Sequence, residues 1–154
     1  MIVAAETDQP WIVKVAGKAV RPIAGRFPLI PPNELGDLFA DDPLAAAEYT
    51  DDIRVYHGNL RISTGLSLLE GLKTIEGLAP QFQTPIRILH GDQDRITSHL
   101  KSVEWINKAG SVDKSIEIYK GYQHVMFKVG RTPEEDAHRQ LLFKDRDEWL
   151  LERV

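Results

Sequence analysis

Pro85-Ile86-Arg87-Ile88-Leu89-His90-Gly91-Asp92-Gln93-Asp94-Arg95-Ile96-Thr97 reads as a buried strand that stops at a glycine and passes a carboxylate to the surface. Further on, Ser115-Ile116-Glu117-Ile118-Tyr119-Lys120-Gly121-Tyr122-Gln123-His124 repeats the plan and delivers a histidine. Between them, Leu100, Val103, Trp105, Ile106 and Ala109 recur at helical spacing, with Thr97 or Ser98 as cap and Gly110 as stop. Thr132-Pro133-Glu134-Glu135 then opens a last helix over about residues 134–152. Its expected buried side is Leu142, Phe143, Trp149 and Leu150, with Arg146 snorkelling past that face. Strand, helix, strand, helix is the order of an α/β fold with parallel strands and crossover helices. Functional groups in such sheets gather beyond the carboxyl ends of the strands, which puts Asp94 and His124 on one edge.

Upstream, the chain opens on a short apolar run, Met1 to Ala5, as if it had lost its beginning. Trp11, Ile12, Val15, Ala16, Ala19 and Val20 form a helical stripe opposite Lys14, Lys18 and Arg21. A basic amphipathic helix over residues 11–20 can lie on a membrane surface. The plainer reading is a helix covering another part of the same protein. Phe27 to Pro32 holds Pro28, Pro31 and Pro32 and reads as an extended connector. Asp41-Asp42-Pro43-Leu44 starts a helix that Asp51 and Asp52 close. Ile62, Leu66, Leu69, Leu72 and Ile75 mark another helix over about residues 63–76.

Composition narrows the function. The 154 residues suffice for one domain, with 42% apolar and 27% charged residues. A net charge of −4 argues against a general nucleic-acid binder. There is no cysteine, hence no disulfide framework or thiolate metal site, which fits a cytoplasmic protein. The acidic pairs Asp41-Asp42 and Asp51-Asp52 lack the spacing of a calcium loop, and no metal or organic cofactor is implied. Met1 to Asp8 lacks the basic and apolar regions of a signal peptide. No run approaches the roughly 18 apolar residues of a membrane span.

An imidazole can take a proton from an alcohol and return it to a leaving group. A carboxylate on its far nitrogen fixes the tautomer and stabilises the imidazolium. On spacing alone, a histidine after a strand is more often a structural hydrogen-bonding residue than a base.

The motifs are more specific than the spacing. Leu89-His90-Gly91-Asp92-Gln93-Asp94, followed by Tyr119-Lys120-Gly121-Tyr122-Gln123-His124, resembles the H-G-x-x-D and Y-x-G-x-x-H of α/β-hydrolases of the monoglyceride lipase/lysophospholipase group, often filed with the serine aminopeptidase-like hydrolases. Carried over by position, the resemblance makes Asp94 the triad acid and His124 the triad base, with Asp92 in the loop. Pro10-Trp11 resembles the segment leaving the family's sixth strand, and Asp42-Pro43-Leu44 with the Arg61-to-Leu69 helix resembles its cap. The resemblance thus implies a cap or lid over residues 1–82 and the carboxyl-terminal part of the hydrolase core over 83–154. That is an incomplete fold of cap helices plus the last two strands and helices. It further implies a lipid ester substrate such as an acylglycerol, and a cytoplasmic protein that can touch membranes peripherally.

The family's nucleophile is a serine in G-x-S-x-G. None of Ser63, Ser67, Ser98, Ser102, Ser111 and Ser115 lies in that motif. Gly65-Leu66-Ser67-Leu68-Leu69 has the first glycine only and falls inside a helical stripe. The expectation is a carboxyl-terminal fragment of a serine ester hydrolase, inactive alone, with an open strand edge that invites self-association. A non-enzymatic, partner-binding pseudo-hydrolase and one half of a two-chain enzyme are the competing readings.

Overall fold

The computed structural model describes residues 21–32 and 43–154. Two small sheets and four helices follow one another in these segments. Strand β1, Pro28–Ile30, pairs antiparallel with β2, Leu60–Arg61. The proline-rich stretch expected as a connector is therefore a short edge strand. Its prolines permit this because the ladder is only two pairs long, Pro28 with Arg61 and Ile30 with Leu60. Helix α1, Pro43–Asp51, begins at the proline that marks it in the sequence, and Asp52 just beyond it chelates the Arg54 guanidinium. Asp41 and Asp42, and the stripe over residues 11–20, lie outside the described residues; residues 21–24 are helical.

Helix α2, Ile62–Leu78, runs into a single 3₁₀ turn at Ala79–Gln81. It is two residues longer at its end than the apolar stripe implies. Neither Gly65 nor Gly71 interrupts it. No residue of α2 is buried, and Leu69 and Ile75 from its stripe are exposed.

The second sheet positions the site. Strand β3, Ile86–Gly91, pairs in parallel with β4, Lys114–Tyr119, in unbroken register from Ile86 with Lys114 to Gly91 with Tyr119. Helix α3, His99–Lys108, is the crossover between them, and α4, Pro133–Leu151, follows β4. Alternation along the strands assigns the helices to opposite faces. His90 bonds Ser102 on α3, whereas Arg87 and Tyr119 both bond Asp145 on α4. Among the described residues, β3 pairs with β4 alone, so its other edge is unpaired.

The core is correspondingly small. Among the described residues, Ala79, Ile106, Ala109, Tyr119 and Leu142 are its buried apolar residues. The carboxyl end of α2 docks on α3, where the Trp105 indole donates to the carbonyl of Ile75 (3.0 Å) and meets Phe82 edge-on at 5.4 Å. On α4, Leu142 is fully buried as its spacing predicts, but Leu150 is 46% exposed. Arg146 lies over the Phe143 ring, 4.7 Å from its centroid, and pairs with Asp147 at the surface. No helix among the described residues is long and apolar enough to cross a membrane.

Candidate active site

The site forms where β3 and β4 end. Gly91 lets the two strand-end loops meet, because a Cβ there would overlap the backbone carbonyl of Tyr122. That carbonyl instead accepts from the amide of Gln93 (3.0 Å). Asp92, expected as plain loop, is the second tie: its Oδ1 accepts from the amide of Gly121 (2.7 Å). Gly121 turns the chain with φ of +82°, a conformation that L side chains resist. The two loops are thereby bolted together, and each carries one predicted site residue.

Asp94 and His124 do meet. Nδ1 of His124 lies 2.9 Å from Oδ2 of Asp94. Oδ1 of the same carboxylate accepts from the amides of Ile96 (2.7 Å) and Thr97 (2.8 Å), a local turn that aspartate forms readily. The Thr97 hydroxyl also donates to Oδ2. Burial pushes the Asp94 carboxyl up, but the hydrogen bonds from Thr97, His124 and Ile96 outweigh it and hold the group at about 2. Asp94 is therefore an anion at neutral pH and can only accept. Its contact with His124 must be Nδ1–H donating to Oδ2, which leaves Nε2 of the neutral ring with the lone pair.

Two residues that sequence reasoning passed over complete the cluster. His90, on β3, places Nε2 3.1 Å from Oδ2 of Asp94, and its Nδ1 lies 2.8 Å from the Ser102 hydroxyl. A signal was available in the alternation of β3, which puts His90 on the α3 face with Ile86 and Ile88. The partner Ser102 lies on another element, and no local pattern announces it. Ser102, His90 and Asp94 share the connectivity of a catalytic triad, yet Ser102 is only 7% exposed within α3 and Thr97 only 3%. Ser102 lines the cleft beside the pair but sits inside α3, without the strand-to-helix turn that carries the family's nucleophile. Ser67 lies inside α2, where its hydroxyl accepts from the Arg21 guanidinium at the surface.

A cleft of about 460 Å³ opens beside the pair, along the unpaired edge of β3. Ile75, Ile86, Ile88, Trp105 and Met126 give it apolar walls, and Asp94 and His124 line it together with His90, Thr97 and Ser102. Such a mixture of apolar wall and few polar groups suits a small organic ligand. Among the described residues, no three His, Cys, Asp or Glu side chains are arranged to hold a metal ion.

The sequence pattern of the serine aminopeptidase S33 family matches residues 1–128. The chain belongs to that family of α/β-hydrolases. The match takes in the stretches with both site residues, and it agrees with the resemblance read from H-G-x-x-D and Y-x-G-x-x-H. Monoacylglycerol lipase of Mycolicibacterium smegmatis is 27% identical over 138 residues, 88% of this S33 chain and 47% of the relative. Caffeoylshikimate esterase of Arabidopsis thaliana is 26% identical over 132 residues, 86% of this chain and 39% of the relative. The S33 chain thus spans less than half the length of these two curated relatives. In three dimensions it superposes on the crystal structure of Paleococcus ferrophilus monoacylglycerol lipase with a TM-score of 0.74 at 23% identity, covering 99% of this chain and 56% of that one. The fold is accordingly that of about half an α/β-hydrolase: helices and a two-stranded parallel sheet.

Proposed function

We propose that this chain carries the acid and the base of a carboxylic ester hydrolase acting on lipid esters of the monoacylglycerol class, and that it turns over no ester by itself. The observation that carries the reading is the 2.9 Å contact of His124 Nδ1 with an ionised, multiply bonded Asp94. In that arrangement Asp94 fixes the tautomer, and Nε2 of His124 is the atom that takes the proton from an attacking hydroxyl. The imidazolium so formed keeps its Nδ1–H on the carboxylate and returns the Nε2 proton to the departing alcohol. The apolar walls of the cleft beside the pair suit an acyl chain.

Inactivity follows from what the 154 residues do not hold. No serine stands in G-x-S-x-G, and His90-Gly91 lies on the acid's own strand rather than in an oxyanion loop. Without a nucleophile or oxyanion donors, an acid–base pair has no covalent step to serve. Residues 1–82 are read as the cap and 83–154 as the core.

The test has two arms. The chain alone, offered a monoacylglycerol or a nitrophenyl ester, is expected to show no turnover above buffer. A chimera that joins it behind the part of the Mycolicibacterium smegmatis monoacylglycerol lipase that it does not match is expected to hydrolyse both. That activity should fall by about 10⁴-fold with Asp94→Asn, the loss typical of a triad acid, and vanish with His124→Ala. Turnover by the chain alone that is lost with His124→Ala, or an active chimera indifferent to that substitution, overturns the reading.

A further inference from the structure

We propose that His90 and Ser102 form a buried positioning arm that holds Asp94 from behind, so that one carboxylate serves two imidazoles with opposite duties. The proposal rests on the reading of Asp94 and His124 as acid and base, and it adds two residues whose part in that site the family motifs do not state.

The ring of His90 is constrained on both nitrogens. Nε2 faces Oδ2 of Asp94 (3.1 Å), the carbonyl of Thr97 (3.3 Å) and the Thr97 hydroxyl oxygen (3.2 Å). A carboxylate and a carbonyl only accept, so Nε2 bears the proton. Nδ1 of the neutral ring is then an acceptor, and the Ser102 hydroxyl 2.8 Å away donates to it. His124 has the mirror-image tautomer, with its proton on Nδ1 and directed at the same Oδ2. The two rings differ in access as well: the side chain of His90 is 9% exposed and that of His124 27%. The buried ring is suited to holding and the accessible ring to proton exchange.

This arrangement gives Ser102 influence at a distance. Without its hydroxyl, the Nδ1 of His90 lacks a donor, and the Nε2–H that Asp94 and the Thr97 carbonyl hold in place is less polarised. Asp94 then keeps His90 as a donor, but a weaker and less firmly held one. The charge no longer shared with His90 strengthens the bond to His124. A side chain that merely fills space at position 102 has no means of reaching His124 in this way.

The experiment is long-range ¹H–¹⁵N correlation spectroscopy of the full 154-residue chain labelled with ¹⁵N, at pH 7. The wild type is expected to show His90 as the Nε2–H tautomer and His124 as the Nδ1–H tautomer with a downfield proton. Ser102→Ala should leave His90 in the Nε2–H form, move its Nε2 proton upfield and move the His124 Nδ1 proton further downfield. Ser102→Cys, close in size with a weaker donor, should do the same to a smaller degree and serves if the alanine variant does not fold. Asp94→Asn is the control for the underlying pair. If it leaves the His124 proton unmoved, the acid–base reading fails and the proposal with it. If it abolishes the downfield signal while the Ser102 variants change neither ring, the pair stands and the positioning arm is refuted. An Nδ1–H tautomer for His90 in the wild type refutes it equally.

Discussion

Gly91 and Tyr122 touch backbone to backbone, and no side chain fits at position 91 without moving the Tyr122 carbonyl. His124 is two residues beyond Tyr122, and Asp94 three beyond Gly91. The spacing of the Asp94–His124 pair is therefore set in part by a contact that neither residue makes. Gly91→Ala is expected to destabilise the chain by about 1–3 kcal/mol, the usual cost of forcing extra volume into a packed contact. It should also lengthen the Asp94–His124 bond. Denaturant midpoints measure the first effect and the His124 Nδ1–H proton shift the second. An alanine variant with wild-type midpoint and shift would show that the loops are not coupled at this point.

The Asp94 carboxyl, held at about 2 against an ordinary value of 3.8, makes acid stability specific. The folded chain binds this proton more weakly than the unfolded chain, so the stabilisation is complete above about pH 4. It is lost as pH falls through the interval from about 4 to about 2. Asp94→Asn removes the titrating group and should flatten the stability profile across that interval. It should also lower stability at neutral pH, since an amide offers its donors to three groups that are donors themselves. Unfolding midpoints between pH 2 and pH 7 for the two proteins, compared as a difference, provide the check. An equal slope in both would assign the acid limb to other carboxylates.

Much of the site was legible because its signals are local. Alternating isoleucines, a glycine stop and an acid or histidine just beyond define β3 and β4, and Thr132-Pro133-Glu134 marks the start of α4 to within one residue. What escaped depends on contacts between elements. Leu60–Arg61 is too short to announce a strand, and only its partner Pro28–Ile30 makes it one. Periodicity alone does not fix burial: Leu150, expected buried, is exposed, and Leu69 and Ile75 sit on an apolar stripe yet remain exposed. A stripe records the face a helix can bury, and it does not record whether a covering layer is present. His90 and Ser102 were missed for the same reason, since their tie crosses from β3 to α3.

On the other side of the sheet, Asp145 is the shared partner of Arg87 and Tyr119. The side chains of Arg87 and Asp145 are only 21% and 22% exposed, and burial together with the Asp145 contact pushes the Tyr119 hydroxyl well above its ordinary value. Asp145→Leu strands a largely buried guanidinium and a buried phenol at once. A loss of about 3 kcal/mol is expected, at the lower edge for breaking a buried pair. Arg87→Met combined with Asp145→Leu should recover part of it, because neither charge is then left unpaired. A double-mutant cycle on denaturant midpoints measures the coupling. Additive losses would show that the pair does not interact in solution.

The unpaired edge of β3 and the exposed stripe of α2 make association of the chain with itself the last expectation. An open strand edge presents unpaired backbone groups, and on α2 Leu68, Leu69, Ile75 and Leu78 leave apolar side chains 52%, 43%, 51% and 48% exposed. Among the described residues only five apolar ones are buried, which offsets little of their chain entropy. The chain should sediment as species larger than a monomer at micromolar concentration. It should also melt broadly, with a midpoint below about 60 °C, toward the lower part of the range for single domains. Leu69→Lys with Ile75→Lys places two charges on the exposed stripe and should shift the sedimentation profile toward monomer without lowering the melting midpoint, since neither side chain is buried. A wild-type monomer with a sharp transition above that temperature would mean that the edge and the stripe are covered in solution.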